Sequence, residues 1–222
     1  MGKKENGNRE VKKNILIICE GESEQAYFKD LKNRKDLKFS LKPELADKSS
    51  YKEIFEKAKR NNDPEIYEHI YCLVDLDHII NHKSYLKYEK AKRNLLKDCK
   101  IVSIIESCPC FELWICLHFE KTQSSETMCE TFIHNKLKKH IPNYEKNMEN
   151  LYTLTEDKMS TALKNANEIN ENRKNQIENE TYANHMECTL SHTLIPKIIL
   201  ELNIPQTASE LKYKKNNFSK NY

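Results

Sequence analysis

Two stretches of the sequence run from apolar residues straight into carboxylates: Ile15-Leu16-Ile17-Ile18-Cys19-Glu20 and Ile70-Tyr71-Cys72-Leu73-Val74-Asp75-Leu76-Asp77. A carboxylate at the end of a buried strand is costly to desolvate unless a cation or hydrogen-bond donors compensate it. In an extended segment residues i and i+2 point to one face, so Asp75 and Asp77 are expected to present two carboxylates together. A parallel neighbour about 4.8 Å away can add Glu20. Hard oxygen ligands in that number suit Mg²⁺ or Mn²⁺. The competing reading is structural: Asp75 and Asp77 cap the following helix, and Glu20 opens a turn.

The elements that must position these residues follow from periodicity. Asn14 to Cys19 reads as a buried strand stopped by Glu20-Gly21. Ala26, Tyr27, Phe28 and Leu31 then form one helical stripe, with Ser23 as N-cap and Glu24 in the first turn. Lys38 to Leu45 gives a short strand, and Tyr51, Ile54, Phe55 and Ala58 an amphipathic helix ending near Asn61-Asn62. Ile66 to Leu76 is a second clear strand, Tyr85 to Leu96 a helix, and Ile101 to Ile105 a β-branched strand that ends at Glu106-Ser107. Strands alternating with helices predict an α/β fold with a mostly parallel sheet flanked by helices. Parallel strands end on one edge, so Glu20, Asp77 and Ser107 are expected to share a cleft.

Beyond that edge, Pro109 is expected to start an apolar helix through Phe111 and Leu117, with Phe111 and Trp114 in the core. The expected organisation is a flexible arm over 1–13, an α/β core over 14–120, a helical insertion over 121–158, C-terminal helices over 159–205 and a basic tail over 206–222. The last two helices are placed around Ser160 to Asn170 and Leu190 to Leu202. In the tail, Tyr213, Lys214, Lys215 and Phe218 mix cations and aromatics as single-strand-binding segments do, although a solvated terminus has the same composition.

Composition excludes several classes. With 3 glycines in 222 residues, no glycine-rich phosphate loop of the Walker or Rossmann kind is present. No apolar run approaches the roughly 20 residues that a membrane helix needs, and the charged N-terminus lacks an apolar signal core, so a soluble cytoplasmic protein is expected. The 8 cysteines are read as reduced thiols, because Cys19, Cys72 and Cys116 lie in apolar segments. Cys108 and Cys110 are one residue apart with no second pair at zinc spacing, which argues against a zinc site. A net charge of +3 is compatible with nucleic-acid binding without identifying it.

Three blocks in order resemble the RloB family: Ile17-Ile18-Cys19-Glu20-Gly21-Glu22-Ser23-Glu24-Gln25-Ala26-Tyr27-Phe28, then Val74-Asp75-Leu76-Asp77, then Ser107-Cys108-Pro109-Cys110-Phe111-Glu112-Leu113-Trp114 with His118-Phe119. The resemblance covers roughly residues 14 to 120, and more weakly the C-terminal helices. RloB proteins look like Toprim-related members of bacterial restriction and phage-defence loci, often encoded beside an ATPase. The resemblance therefore implies a Toprim-like sheet and a metal-dependent nuclease cutting RNA such as tRNA, or DNA, as the effector of a bacterial anti-phage defence system. A different class remains open: a non-catalytic nucleic-acid- or nucleotide-binding module that regulates, or partners, a defence ATPase.

Carried over residue by residue, Glu20 matches the glutamate after the first strand of Toprim-type sites, and Asp75 and Asp77 match the Asp-x-Asp metal pair. Glu24 matches the second acidic residue of the first block, and Ser107 and Glu112 match the third. The family's usual Asn-Pro is here Cys108-Pro109, so a polar role is not carried over to position 108. A catalytic set of Glu20, Glu24 and Glu112 follows, with Glu20 either a metal ligand or a general base. Glu24 has an alternative as a partner of the helix dipole. His78 and His118 are accessory candidates for phosphate binding or proton shuttling, against the commoner structural role of a lone histidine. Nucleic acid, an ATPase sensor and a second copy of the chain are the partners expected.

Overall fold

The computed structural model describes residues 14–123, 126–179 and 191–202. The expected arm over 1–13 and basic tail over 206–222 lie outside the described residues.

A mostly parallel sheet of five strands organises the chain, in the order β2-β1-β3-β4-β5. These strands are β1 (Asn14–Cys19), β2 (Ser40–Leu45), β3 (Tyr67–Asp75), β4 (Val102–Cys108) and β5 (His192–Thr193). The first four pair in parallel, and β5 runs antiparallel to β4. Helices α1 (Glu22–Arg34), α2 (Tyr51–Arg60), α3 (Asp77–Asn81) and α4 (Tyr85–Asp98) supply the crossovers. After β4 come α5 (Glu112–Leu117), α6 (Cys129–Asn135), α7 (Leu151–Thr155), α8 (Met159–Asn179) and, following β5, α9 (Ile195–Glu201). This is the α/β class expected.

The continuous apolar runs exist because both sheet faces are covered. Ile15, Ile17, Cys19, Tyr71, Leu73 and Ile105 point to one side, into a cluster with Tyr27 and Phe28 of α1 and Trp114 of α5. Leu16, Ile18, Ile70, Cys72, Val74 and Ile104 point to the other, against Ile54 and Phe55 of α2 and Tyr88 of α4. Residues 121–158 are helical without a strand among the described residues, and Phe132, Leu137, Tyr144 and Tyr152 join the same cluster as α1 and α5.

Several local expectations are corrected. α1 starts at Glu22 with Gly21 as its cap residue, because the Ser23 side chain is engaged elsewhere. β4 runs on to Cys108 instead of stopping at Ile105. Glu106 is tolerated inside it because Lys92 Nζ and Tyr88 Oη both donate to its Oε1 at 2.6 Å. The helix expected from Pro109 begins at Glu112, and the Cys108–Pro109 peptide is cis. The single helix expected over Leu190 to Leu202 is a two-residue strand followed by α9. Asn170 of α8 holds that strand by accepting from Thr193 N–H at 3.1 Å and donating to its carbonyl at 2.9 Å. The cysteines are not all thiols: Cys110 and Cys129 form a disulfide, since α6 starts beside the turn before α5 with their Cα atoms 5.6 Å apart. Cys19, Cys72, Cys99, Cys108 and Cys116 remain buried thiols.

Candidate functional site

The sheet brings Glu20 and Asp75 side by side. Glu20 follows β1, and its Oε2 accepts from the Asp75 backbone N–H at 3.0 Å while Oε1 accepts from Ser49 Oγ–H at 3.3 Å. Asp75 ends β3, and its Oδ1 accepts from the Phe111 backbone N–H at 2.9 Å. The strand's alternation does not reach Asp77. Leu76 has helical dihedrals, φ −92° and ψ −6°, and Asp77 is the first residue of α3. The Asp77 carboxylate accepts from His78 N–H at 2.6 Å, and its backbone N–H donates to Pro109 O at 3.1 Å. Asp77 nevertheless repels both Glu20 and Asp75 electrostatically, so the three carboxylates share one neighbourhood.

Glu24 and Glu112 reach the same place from two helices. Glu24 is buried in the first turn of α1, and its Oε1 has no hydrogen-bond partner. Its Oε2 lies 3.0 Å from where a Cβ at position 21 would stand, so Gly21 serves here to make room for a carboxylate. Glu112 opens α5 and is buried, with Oε1 accepting from Ser23 Oγ–H at 2.8 Å and from Tyr144 O–H at 2.7 Å. Those two hydroxyl oxygens are themselves 2.7 Å apart. The Cys129 sulfur, which carries no hydrogen in the disulfide, sits 3.3 Å from Glu112 Oε2.

Carboxylates this crowded resist ionisation. Burial first, then Glu24, Glu20, Glu112 and Asp77, hold Asp75 well above the usual carboxylate range. Burial and the charge of Glu112 push Glu24 up to about 8. Glu20 is raised by burial and by Asp77, against the lowering effect of the Asp75 N–H, Ser49 and His78. Glu106 on the neighbouring strand is the control. Burial would raise it too, but Lys92 and the Tyr88 hydroxyl bring it below the usual value. The Glu20 group has no such lysine against it, and among the described residues none of its five carboxylates forms a salt bridge.

The group offers only oxygen donors, without salt bridges among the described residues, the ligand type that hard divalent cations take. It is not a closed cage. Among the described residues, the trios of ligand atoms lying within 4.8 Å of one another are Cys110, Glu112, Cys129 and Cys116, Glu120, His140. Glu20, Asp75 and Asp77 are not among these trios, and Asp75 and Asp77 each turn toward a backbone N–H. Glu20 and Asp75 face a cleft of about 200 Å³ that Ser49, Tyr51, His78 and His82 also line.

Of the accessory residues, His78 alone lines this cleft, its ring stacked on His82 at 5.7 Å. Ser107 aligns with Asp75 across the sheet, but its hydroxyl pairs with Thr193 Oγ1 at 2.9 Å. His118 is buried in the core, where Nδ1 meets Trp114 O at 2.9 Å. Burial lowers it to about 4, and the charges that act on it are Lys158 and Asp157, not the carboxylate group. Sequence reasoning missed Ser49, Tyr144 and the steric role of Gly21. The Ser49-Ser50 pair before α2 was a local signal for the first; Tyr144 carried none.

Fold and site together define an α/β protein in which a parallel sheet and its flanking helices gather five carboxylates, without salt bridges among the described residues, at one edge of the sheet. More specifically, the chain belongs to the RloB-like protein family, whose profile matches residues 15–202. No curated protein and no solved structure matches the chain. Among the described residues no helix is long and apolar enough to cross a membrane.

Proposed function

We propose that this RloB-like protein is a metal-dependent Toprim-like nuclease that cuts RNA such as tRNA, or DNA, as the effector of a bacterial anti-phage defence system with an ATPase as sensor. The observation that carries the reading is the convergence of Glu20, Glu24, Asp75, Asp77 and Glu112, with Glu24 Oε1 buried and unpartnered. Glu20, Asp75 and Asp77 are the residues that would hold Mg²⁺ or Mn²⁺. When bound, such an ion supplies charge stabilisation for a phosphodiester and an acidified water. Glu24, raised to about 8, holds a proton near neutral pH and can exchange it with a neighbouring carboxylate. Glu112 is fixed by Ser23 and Tyr144 and adds to the negative field of Glu24 and Glu20 on Asp75. His78, which lines the cleft, would be the residue to meet a phosphate there.

The test is cleavage of total tRNA, single-stranded RNA and duplex DNA by the full chain with Mg²⁺ or Mn²⁺. Glu20→Ala and Asp75→Ala should each abolish metal-dependent cleavage while the fold, followed by circular dichroism, is retained. Undiminished cleavage by both variants would remove this site from the mechanism. Binding without cleavage by the wild type would favour the regulatory module instead.

A further inference from the structure

We propose that Cys116, Glu120 and His140 form a separate cation site, of a chemistry that selects Zn²⁺ over Mg²⁺, at the C-terminal end of α5.

Cys116 and Glu120 are one helical turn apart, with Glu120 N–H donating to Cys116 O at 3.1 Å, so both side chains leave the same face. His140 ends the 3-10 turn Leu137–Lys139, its N–H donating to Leu137 O at 2.9 Å. The imidazole lies flat on Phe119, with centroids 5.0 Å apart and planes 8° from parallel, which fixes the ring plane. Its Nε2 is buried without a hydrogen-bond partner, and stands 3.6 Å from Glu120 Oε2, too long for a hydrogen bond. The thiol, carboxylate and imidazole ligand atoms all lie within 4.8 Å of one another. Tetrahedral zinc holds its ligand atoms about 3.5 Å apart, so closure by about 1 Å would complete the geometry.

The donors decide the ion. One sulfur, one nitrogen and one oxygen match borderline-soft Zn²⁺, whereas Mg²⁺ prefers oxygen alone. The other sulfur-containing trio is different, because Cys110 and Cys129 are already oxidised to a disulfide. Three protein ligands leave a fourth position for water, and Glu120, whose side chain is 39% exposed, opens the group to solvent. A bound ion would tie α5 to the turn leading to Tyr144, which hydrogen-bonds Glu112. Without an ion the same contacts are a core thiol beside a histidine–glutamate pair.

Cobalt spectroscopy separates the two. Co²⁺ added to the full, non-reduced chain should give one equivalent of sulfur-to-cobalt charge-transfer absorption with strong tetrahedral visible bands, displaced by Zn²⁺. Cys116→Ser should lose the charge-transfer band, His140→Ala should weaken Co²⁺ binding at least about tenfold, and Cys129→Ser should retain the band. Absence of the band in the wild type, or its survival in Cys116→Ser, overturns the assignment. Should Cys116→Ser fail to fold, unaltered cobalt affinity in His140→Ala overturns it equally.

Discussion

Glu24→Gln should stabilise the metal-free protein above neutral pH, although it removes a candidate site residue. Glu24 is 3% exposed, and burial followed by repulsion from Glu112 carries its carboxyl from 4.5 to about 8. Its folded pKa lies above the unfolded one, so between these values the folded protein keeps a proton that the unfolded chain has released. The stability linked to this group is thus complete below about pH 4.5 and is lost as the pH rises toward 8. At about 1.4 kcal/mol per pH unit the whole window is worth at most about 5 kcal/mol. Asp75 and Glu20 titrate with Glu24 and share the effect, so about 1–3 kcal/mol is expected for this residue. Glutamine keeps the shape, has no charge to desolvate, and turns an amide donor toward the surrounding carboxylates. The assay is urea unfolding with a chelator at about pH 5.5 and about pH 8. Wild type should weaken between the two, while Glu24→Gln should weaken less and exceed wild type at the higher pH. Mn²⁺ at the higher pH should then raise wild type more than the variant. A variant that is weaker than wild type at the higher pH, or that has the same pH slope, would refute the reasoning.

Three further outcomes follow from particular contacts. Mn²⁺ should raise the melting temperature of wild type by mass action and raise it less in Asp77→Asn; equal shifts would exclude Asp77 as a ligand. Lys92→Met takes one of the two donors at 2.6 Å from the buried Glu106 carboxylate, and should cost about 3 kcal/mol at neutral pH in denaturant unfolding. Because Lys92 holds Glu106 below its usual value, the stability it gives is present above the unfolded pKa and fades as the pH falls, so the difference should shrink in acid. Cys129→Ser opens a disulfide between residues 19 apart and should cost about 3 kcal/mol under non-reducing conditions; no loss would mean that the bridge does not constrain the unfolded chain.

The parts of this fold that were legible in the sequence are those with a local cause. Ile15 to Cys19 and Ile70 to Val74 read as strands because a sheet covered on both faces demands unbroken apolar residues, and Glu20 and Asp75 stood out as the first charges after them. Asp77 was misplaced onto the strand because period-two alternation says nothing about where a strand stops; Leu76 turns helical one residue earlier. His192 and Thr193 are too short a strand to show any period, and β4 together with Asn170 determines it from outside. Ser23 looked like an N-cap because that is its commonest local role, yet its partners Glu112 and Tyr144 are 89 and 121 residues away. Contacts of that range leave no trace in spacing. The same holds for the Cys110–Cys129 bridge.

Glu106 and Asp75 make the strongest comparison within the molecule, since each is a carboxylate near the end of a central strand. For Glu106 the fold sends a lysine from α4 and a tyrosine hydroxyl, and the group ionises below its usual pKa despite burial. For Asp75 the fold sends Glu24 from α1 and Glu112 from α5, which make ionisation harder. Neither helix needs those residues for its own formation, because a carboxylate in the first turn favours a helix just as well when it points to solvent. Ser23 and Tyr144 offset part of the cost of burying Glu112, whereas Oε1 of Glu24 has no hydrogen-bond partner. The two strand ends thus differ in the charge of the partners that the fold supplies, cationic at Glu106 and anionic at Asp75.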